Sequence, residues 1–158
     1  MRSRLTRGMT LAAPLVLVLV AAGCGSSSKS TSTTPQITKA EFLAKGNAIC
    51  KKGNDQINLA GNKAFPKSKG KPSRARMIKF VTGTLIPSVQ GQISGVKALG
   101  APQGDEAKVN AIVTTAQAAL DRAKKDPALL ESNKSTPFAK ANKLAKAYGL
   151  TVCGSGGG

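Results

Sequence analysis

Histidine and tryptophan are absent from this 158-residue sequence, and acidic residues are few. Without histidine the chain lacks the commonest general base and the commonest metal ligand of proteins. Its seven acidic residues stand mostly alone among 24 lysines and arginines. No Cys-x-x-Cys pair is present that would supply zinc-ligand spacing. We therefore predict no catalytic residues, no bound metal and no cofactor.

The sequence also lacks an apolar run long enough to cross a bilayer. Its main run, Leu11–Ala22, has twelve residues and would rise about 18 Å as a helix, against roughly 30 Å of hydrocarbon core. Arg2, Arg4 and Arg7 precede this run, and small residues follow it. A positive start, a short apolar core and a small-residue exit indicate a secretory signal peptide over residues 1–23.

The end of this segment, Ala21-Ala22-Gly23-Cys24, resembles the bacterial lipobox. In that motif the cysteine is diacylated and becomes the new N-terminus. We therefore predict that Cys24 is lipidated and anchors the chain on the extracytoplasmic face of the cell membrane. Ala21 stands where leucine is usual, and the ordinary signal peptidase could cut the same bond and leave a free thiol.

The cysteine count bears on this choice. The chain has three cysteines, Cys24, Cys50 and Cys153, and an odd number in an exported protein leaves one unpaired. If Cys24 carries the lipid, Cys50 and Cys153 form an even pair in an oxidising compartment. The alternative, in which Cys24 is the leftover thiol, stays open.

Composition divides the rest of the chain. Residues 24–37 are rich in serine and threonine and have no apolar periodicity, so we predict a lipidated cysteine followed by a disordered tether. Residues 154–158, "GSGGG", predict a flexible tail. The helical domain is expected between them, over residues 38–153.

Four amphipathic helices are predicted in that domain, because apolar residues recur at helical spacing. The first spans about Thr38 to Ala60 and opens with the capping box "TKAE". The second spans about Ser73 to Leu99, with a kink near 83–86 ahead of a proline. Asp105 opens the third as its capping residue, and the fourth covers Thr136 to Tyr148. We predict an all-α fold, a small antiparallel bundle of about four helices closed by one disulfide.

Three stretches, "EFLAKGNAICKKGN", "VKALGAPQGDEAKV" and "FAKANKLAKAYGLTVCG", follow one another behind the lipobox and the tether. In this order they resemble a group of small uncharacterised lipoproteins from actinobacteria and their relatives. The resemblance spans most of residues 38–154. It implies a helical domain with paired cysteines outside the cytoplasmic membrane, and it implies no activity.

One segment, residues 63–80, concentrates positive charge without an acidic residue. We call this stretch the basic segment. Our hypothesis is that its seven cations bind an anionic partner of the envelope, either lipid headgroups or an acidic wall polymer. The alternative is a solvated loop whose lysines keep a small domain soluble. Nucleic acid is a poor partner, because the segment lacks stacking aromatics and the chain is exported. The seven cations of the basic segment are Lys63, Lys67, Lys69, Lys71, Arg74, Arg76 and Lys79.

The net charge agrees with an anionic partner. Without the three arginines of the signal peptide, the formal net charge falls from +17 to +14, and such a charge favours polyanions. We predict a membrane-anchored lipoprotein of the cell envelope with a non-catalytic binding or structural role. An accessory or sensory subunit that docks on a membrane protein is the alternative, and it requires an exposed apolar patch. The sequence names no ligand, protein partner or oligomeric state.

Overall fold

A computed structural model of the chain describes residues 36–67, 70–130 and 136–155, and every regular element within them is a helix. The predicted all-α class is confirmed. The predicted signal peptide, Cys24, Lys69 and residues 156–158 lie outside the described residues. None of the described helices is both long and apolar enough to cross a membrane. The elements are α1 (Lys39–Ala64), α2 (Arg74–Phe80), a π-helical turn (Val81–Leu85), α3 (Ile86–Ala98), α4 (Glu106–Lys125), a 3₁₀ turn (Pro127–Leu130), α5 (Ala139–Tyr148) and α6 (Thr151–Ser155).

Helix α1 begins at the predicted capping box. Thr38 Oγ1 accepts a hydrogen bond from the Glu41 backbone N–H at 3.2 Å, and Glu41 Oε2 accepts one from the Thr38 backbone N–H at 3.0 Å. Two backbone N–H groups that lack an acceptor within the helix are thereby satisfied. The helix runs four residues beyond the predicted end at Ala60. The buried residues of this helix are Phe42, Gly46, Cys50 and Gly53.

The predicted kink in the second helix is a π-helical turn. Helices α2 and α3 join through Val81–Leu85, where the Ile86 N–H donates to the Val81 carbonyl. Pro87 follows directly. Proline has no N–H to donate, and its ring clashes with the carbonyl four residues earlier. The wider turn gives the ring room, so the chain continues as a helix instead of breaking.

Helix α5 ends in a Schellman arrangement. Gly149 has a φ of +109°, a left-handed conformation that suits glycine. Its N–H donates to the Lys146 carbonyl at 3.1 Å, and the Leu150 N–H donates to the Ala145 carbonyl at 2.9 Å. The turn directs the chain into α6, a five-residue helix that was not predicted and that contains Cys153.

Both boundaries of the helical domain lie outside the predicted 38–153. Ile37 was assigned to the tether, but it is half-buried against the core. Its neighbour Gln36 donates from Nε2 to the Ala101 carbonyl at 3.3 Å. At the other end Gly154 was assigned to the tail, but it is buried within α6. The ordered domain therefore includes residues 36, 37, 154 and 155.

The core has two clusters, joined through Val113, which packs against both. The predicted disulfide is present in core cluster 1, where Cys50 of α1 bonds to Cys153 of α6 with a Cα–Cα distance of 5.0 Å. Core cluster 2 lies among α3, α4 and the start of α5. The buried members of core cluster 1 are Phe42, Cys50, Val96, Val109, Ile112, Ala145, Tyr148 and Leu150, and those of core cluster 2 are Val81, Ile86, Ile93, Ala119, Leu120 and Phe138.

Candidate functional site

The basic segment covers the last turn of α1, the following connection and α2. Its six described cations are all exposed, and Lys69 lies outside the described residues. Helix α2 buries none of its side chains. The structure therefore places these cations at the surface, on the end of α1, on the described part of the connection and on α2. They are Lys63, Lys67, Lys71, Arg74, Arg76 and Lys79.

An aromatic pair links the two helices that bear these cations. Phe65, just after α1, meets Phe80, the last residue of α2, edge to face with ring centroids 5.1 Å apart. The Phe80 ring also packs beside Gly61 of α1, where a Cβ would lie 3.5 Å from Phe80 Cζ, an ordinary contact distance. Ser73 caps α2 by accepting a hydrogen bond from the Arg76 N–H. Packing between Phe65 and Phe80 thus holds the ends of α1 and α2 together. Sequence analysis missed this pair, since two isolated phenylalanines have no periodic signal.

The cations of the basic segment have few partners within the protein. The ion pairs among the described residues involve Lys39, Lys51, Lys108 and Lys124. By contrast, five cations of the basic segment form no ion pair with any described residue. Their charge is therefore not neutralised locally. These five are Lys63, Lys67, Lys71, Arg76 and Lys79.

A large apolar side chain lies one helical turn from Lys63, the first of these cations. Leu59 is 71% exposed and precedes Lys63 by one helical turn on α1, so the two residues share a face. The only other exposed large hydrophobic side chain in the described part of the chain is Leu129, at 40%. Leu59 thus adds an apolar contact point to a charged surface.

Asp105 lies at the N-cap of α4, as predicted, but its carboxylate makes no capping hydrogen bond. Instead Oδ2 accepts from the Tyr148 hydroxyl at 2.9 Å and lies 3.3 Å from Lys39 Nζ, while Oδ1 lies 2.9 Å from Lys108 Nζ. Lys39 Nζ also lies 4.7 Å from the centroid of the Tyr148 ring. The buried carboxylate therefore ties together α1, α4 and α5.

These contacts fix the protonation states of the cluster. Hydrogen bonds from Lys108, Tyr148 and Lys39 lower the pKa of Asp105 to about 2. Burial and the adjacent carboxylate raise the pKa of Tyr148 to about 12. At neutral pH one group stays ionised and the other stays protonated, so the pair is unsuited to proton transfer. Among the described residues, no three histidine, cysteine or acidic side chains converge on a possible metal position.

A cavity of about 470 Å³ lies between the two core clusters, and nothing in the sequence analysis foresaw it. Helices α1, α3, α4, α5 and α6 all contribute to its walls. The walls are mainly aliphatic, and the polar side chains among them are neutral. The polar residues are Asn54, Asn58, Gln92, Thr136, Asn142 and Ser155.

The composition explains why the core contains this space. The chain has four phenylalanines, one tyrosine and no tryptophan, and the wall includes Ala116, Ala141 and Ala145, whose single methyl groups fill little volume. Side chains of this size leave the space unfilled and accessible to solvent or a ligand.

Among the predicted site residues, Cys50 and Cys153 form the disulfide, and each of the six described cations is exposed. Lipidation of Cys24 stays a prediction, because that residue lies outside the described ranges. Comparison of the chain with protein-family models, with curated proteins and with solved structures finds no match. The function must therefore be inferred from the geometry of the basic segment and the cavity.

Proposed function

We propose that this protein is a lipid-anchored component of the cell envelope whose helical domain binds an anionic surface through the basic segment. The observation that supports this most directly is the group of five exposed cations without an ion pair, held by the Phe65–Phe80 contact. Its role is non-catalytic. The signal-peptide pattern and the Cys24 lipobox supply the expected location, on the extracytoplasmic face of the membrane.

The energetics of such binding are favourable. Each basic residue near an anionic surface contributes about 1 kcal/mol, over a distance of about 10 Å at ordinary ionic strength. A lipid at Cys24 and the predicted tether of residues 25–36 would confine the domain within about 20 Å of the membrane. Confinement raises the effective concentration of the basic segment at that surface. Individually weak contacts then suffice for stable binding.

Leu59 favours lipid headgroups over a wall polymer as the anionic partner. An apolar side chain beside lysines is typical of surfaces that contact the membrane interface, since it enters the headgroup region while the cations bind phosphates. A hydrated polymer offers no such apolar environment. Leu59→Ser is therefore expected to weaken binding to anionic vesicles and to leave binding to soluble polyphosphate unchanged.

Vesicle binding tests the proposal. The mature chain carrying Cys24→Ser, which cannot be lipidated, is mixed with phosphatidylcholine vesicles that contain or lack phosphatidylglycerol. We expect binding only to the anionic vesicles. Removing two cations with Lys63→Gln and Arg76→Gln should weaken it by about 2 kcal/mol, or roughly 30-fold.

A matched control separates a local site from total charge. Lys140→Gln with Lys143→Gln removes the same charge from exposed positions of α5 and should weaken binding much less. Equal losses for both pairs would show that net charge alone governs binding. Binding to polyphosphate without binding to anionic vesicles would favour the wall polymer, and binding to neither would overturn the proposal.

The anchor itself is tested by intact-mass analysis of the protein isolated from membranes. A diacylglycerol adduct on Cys24 is expected, and Cys24→Ser should release the chain into the soluble fraction. An unmodified N-terminus would contradict the anchor. The alternative of an accessory subunit gains no specific support, because Leu59 and Leu129 are the only exposed large hydrophobic side chains in the described ranges.

A further inference from the structure

The cavity between the core clusters has the size of a small-molecule site. Its 470 Å³ falls within the range of roughly 300–1,000 Å³ that is usual for ligand pockets. Val96 and Leu150 of core cluster 1 form part of its wall, and Ile93 and Phe138 of core cluster 2 form another part. A ligand there would complete the packing between the two clusters.

Neutral polar groups meet at one part of this wall. Gln92 Nε2 lies 3.5 Å from Asn54 Oδ1, and Asn54 Nδ2 lies 3.4 Å from the Val152 carbonyl. Ser155 Oγ donates to the same carbonyl at 2.7 Å. The two amide contacts are at the long limit for hydrogen bonds and are correspondingly weak. These amides can therefore turn to a ligand at little cost.

The described walls of the cavity carry no charge. Among the described residues, no lysine, arginine, aspartate or glutamate lines the cavity. A buried ionised group without a partner is strongly destabilised. The described walls therefore offer no partner to the charged head of a fatty acid or phospholipid and favour a ligand with an uncharged polar group.

From these three features we propose that the cavity binds a neutral single-chain amphiphile, of the monoacylglycerol type. Its hydrocarbon chain contacts Ile93, Ala116 and Phe138, and its hydroxyl or ester oxygens accept hydrogen bonds from the amides of Asn54 and Gln92. This site is separate from the basic segment and does not depend on the surface binding proposed above.

Isothermal titration with monolaurin, below its micelle concentration, tests this site. The protein is the oxidised mature chain with Cys24→Ser, in buffer with enough salt to screen surface charge. We expect binding of one monolaurin per chain, and at least tenfold weaker binding of laurate, which differs by its charged head. Absence of monolaurin binding would overturn the site, and equal affinity for laurate would overturn the selection for a neutral head.

Filling the cavity tests its location. Ala116→Phe places a ring in the wall and should reduce monolaurin affinity at least tenfold, while the urea midpoint stays equal or rises. Ala111→Phe is the matched control on the exposed face of the same helix and should leave affinity unchanged. Undiminished binding by a folded Ala116→Phe variant would contradict the assignment.

Gln92→Leu provides a second variant that does not depend on overpacking. It keeps the size of the side chain and removes the amide, so monolaurin binding should fall several-fold while binding of dodecane is retained. Equal effects on both ligands would exclude the amide as a head-group donor. Lys63→Gln with Arg76→Gln should leave monolaurin affinity unchanged, so failure of one site is distinguishable from failure of the other.

Discussion

The two core clusters are held by different kinds of interaction. Core cluster 1 has links between distant parts of the chain, including the disulfide across 103 residues. Asn47 adds two more, since its Nδ2 donates to the Gly149 carbonyl at 3.1 Å and its Oδ1 accepts from the Val152 N–H at 2.9 Å. Core cluster 2 is held by aliphatic and alanine packing next to the π-helical turn.

The two regions therefore differ in how firmly they are held. Covalent and charged contacts fix α1, α5 and α6 around core cluster 1. The cavity borders both clusters, since Cys50 and Leu150 of core cluster 1 and Ile93 and Phe138 of core cluster 2 line it. Regions with few specific contacts open at low free-energy cost. We therefore expect the wall formed by core cluster 2 to adjust to a ligand more readily than the wall formed by core cluster 1.

Among the changes that test this comparison, removal of the disulfide should have the largest effect on the unfolding free energy. Closing a loop of about 100 residues contributes about 4–5 kcal/mol, so Cys50→Ala with Cys153→Ala should lower the unfolding free energy by about that amount. Urea denaturation followed by circular dichroism measures it. Reduction of the wild-type protein should give the same loss, and an unchanged midpoint would show that polar contacts alone hold core cluster 1.

A close backbone contact in core cluster 1 should give the next largest effect. A Cβ on Gly154 would lie 2.7 Å from the Asn142 carbonyl oxygen, so Gly154→Ala should destabilise the fold by about 1–3 kcal/mol through overpacking. Gly91→Ala is the control, because a Cβ there meets no atom within 4 Å. It should stabilise α3 by up to about 1 kcal/mol. Similar urea midpoints for both variants would contradict the tight α5–α6 contact.

The Asp105 cluster should have a smaller effect that depends on pH. Its pKa lies at about 2 in the folded state, below the ordinary 3.8. The stabilisation is therefore present above the ordinary pKa and is lost as the pH falls towards 2. The gap in urea midpoint between wild type and Asp105→Asn should be widest near neutral pH and should narrow in acid. A gap that stays constant from neutral pH to pH 2 would exclude this linkage.

Substitutions in the basic segment should have the smallest effect on folding. Lys63→Gln and Arg76→Gln change exposed side chains, and such changes usually alter stability by less than about 0.5 kcal/mol. Thermal unfolding should therefore be nearly unchanged in the same variants that bind anionic vesicles weakly. A large loss of stability would instead assign these cations a structural role.

The sequence was a good guide wherever a contact is local. The capping box at Thr38 and the irregular turn before Pro87 each depend on residues within a few positions of one another, and each is where it was predicted.

Prediction from neighbouring residues was insufficient where distant residues bind the same side chain. Asp105 has the sequence position of a capping residue, but Tyr148, 43 residues away, donates to its carboxylate. Tertiary contacts from Lys39 and Tyr148 outweigh the capping bond because the burial of a carboxylate requires strong compensation. No short window of sequence contains both partners.

Composition and periodicity were sufficient for the helical class and for the exposure of the described cations of the basic segment, because these follow from short-range patterns. Counting cysteines predicted the pairing of Cys50 with Cys153 only together with the expectation that Cys24 is lipidated. The cavity, the Asp105 cluster and the aromatic pair beneath the cations emerged only once the helices were packed. Each of these depends on the relative position of side chains far apart in the chain, and hydrophobic packing sets that position through many small contributions that no single motif encodes.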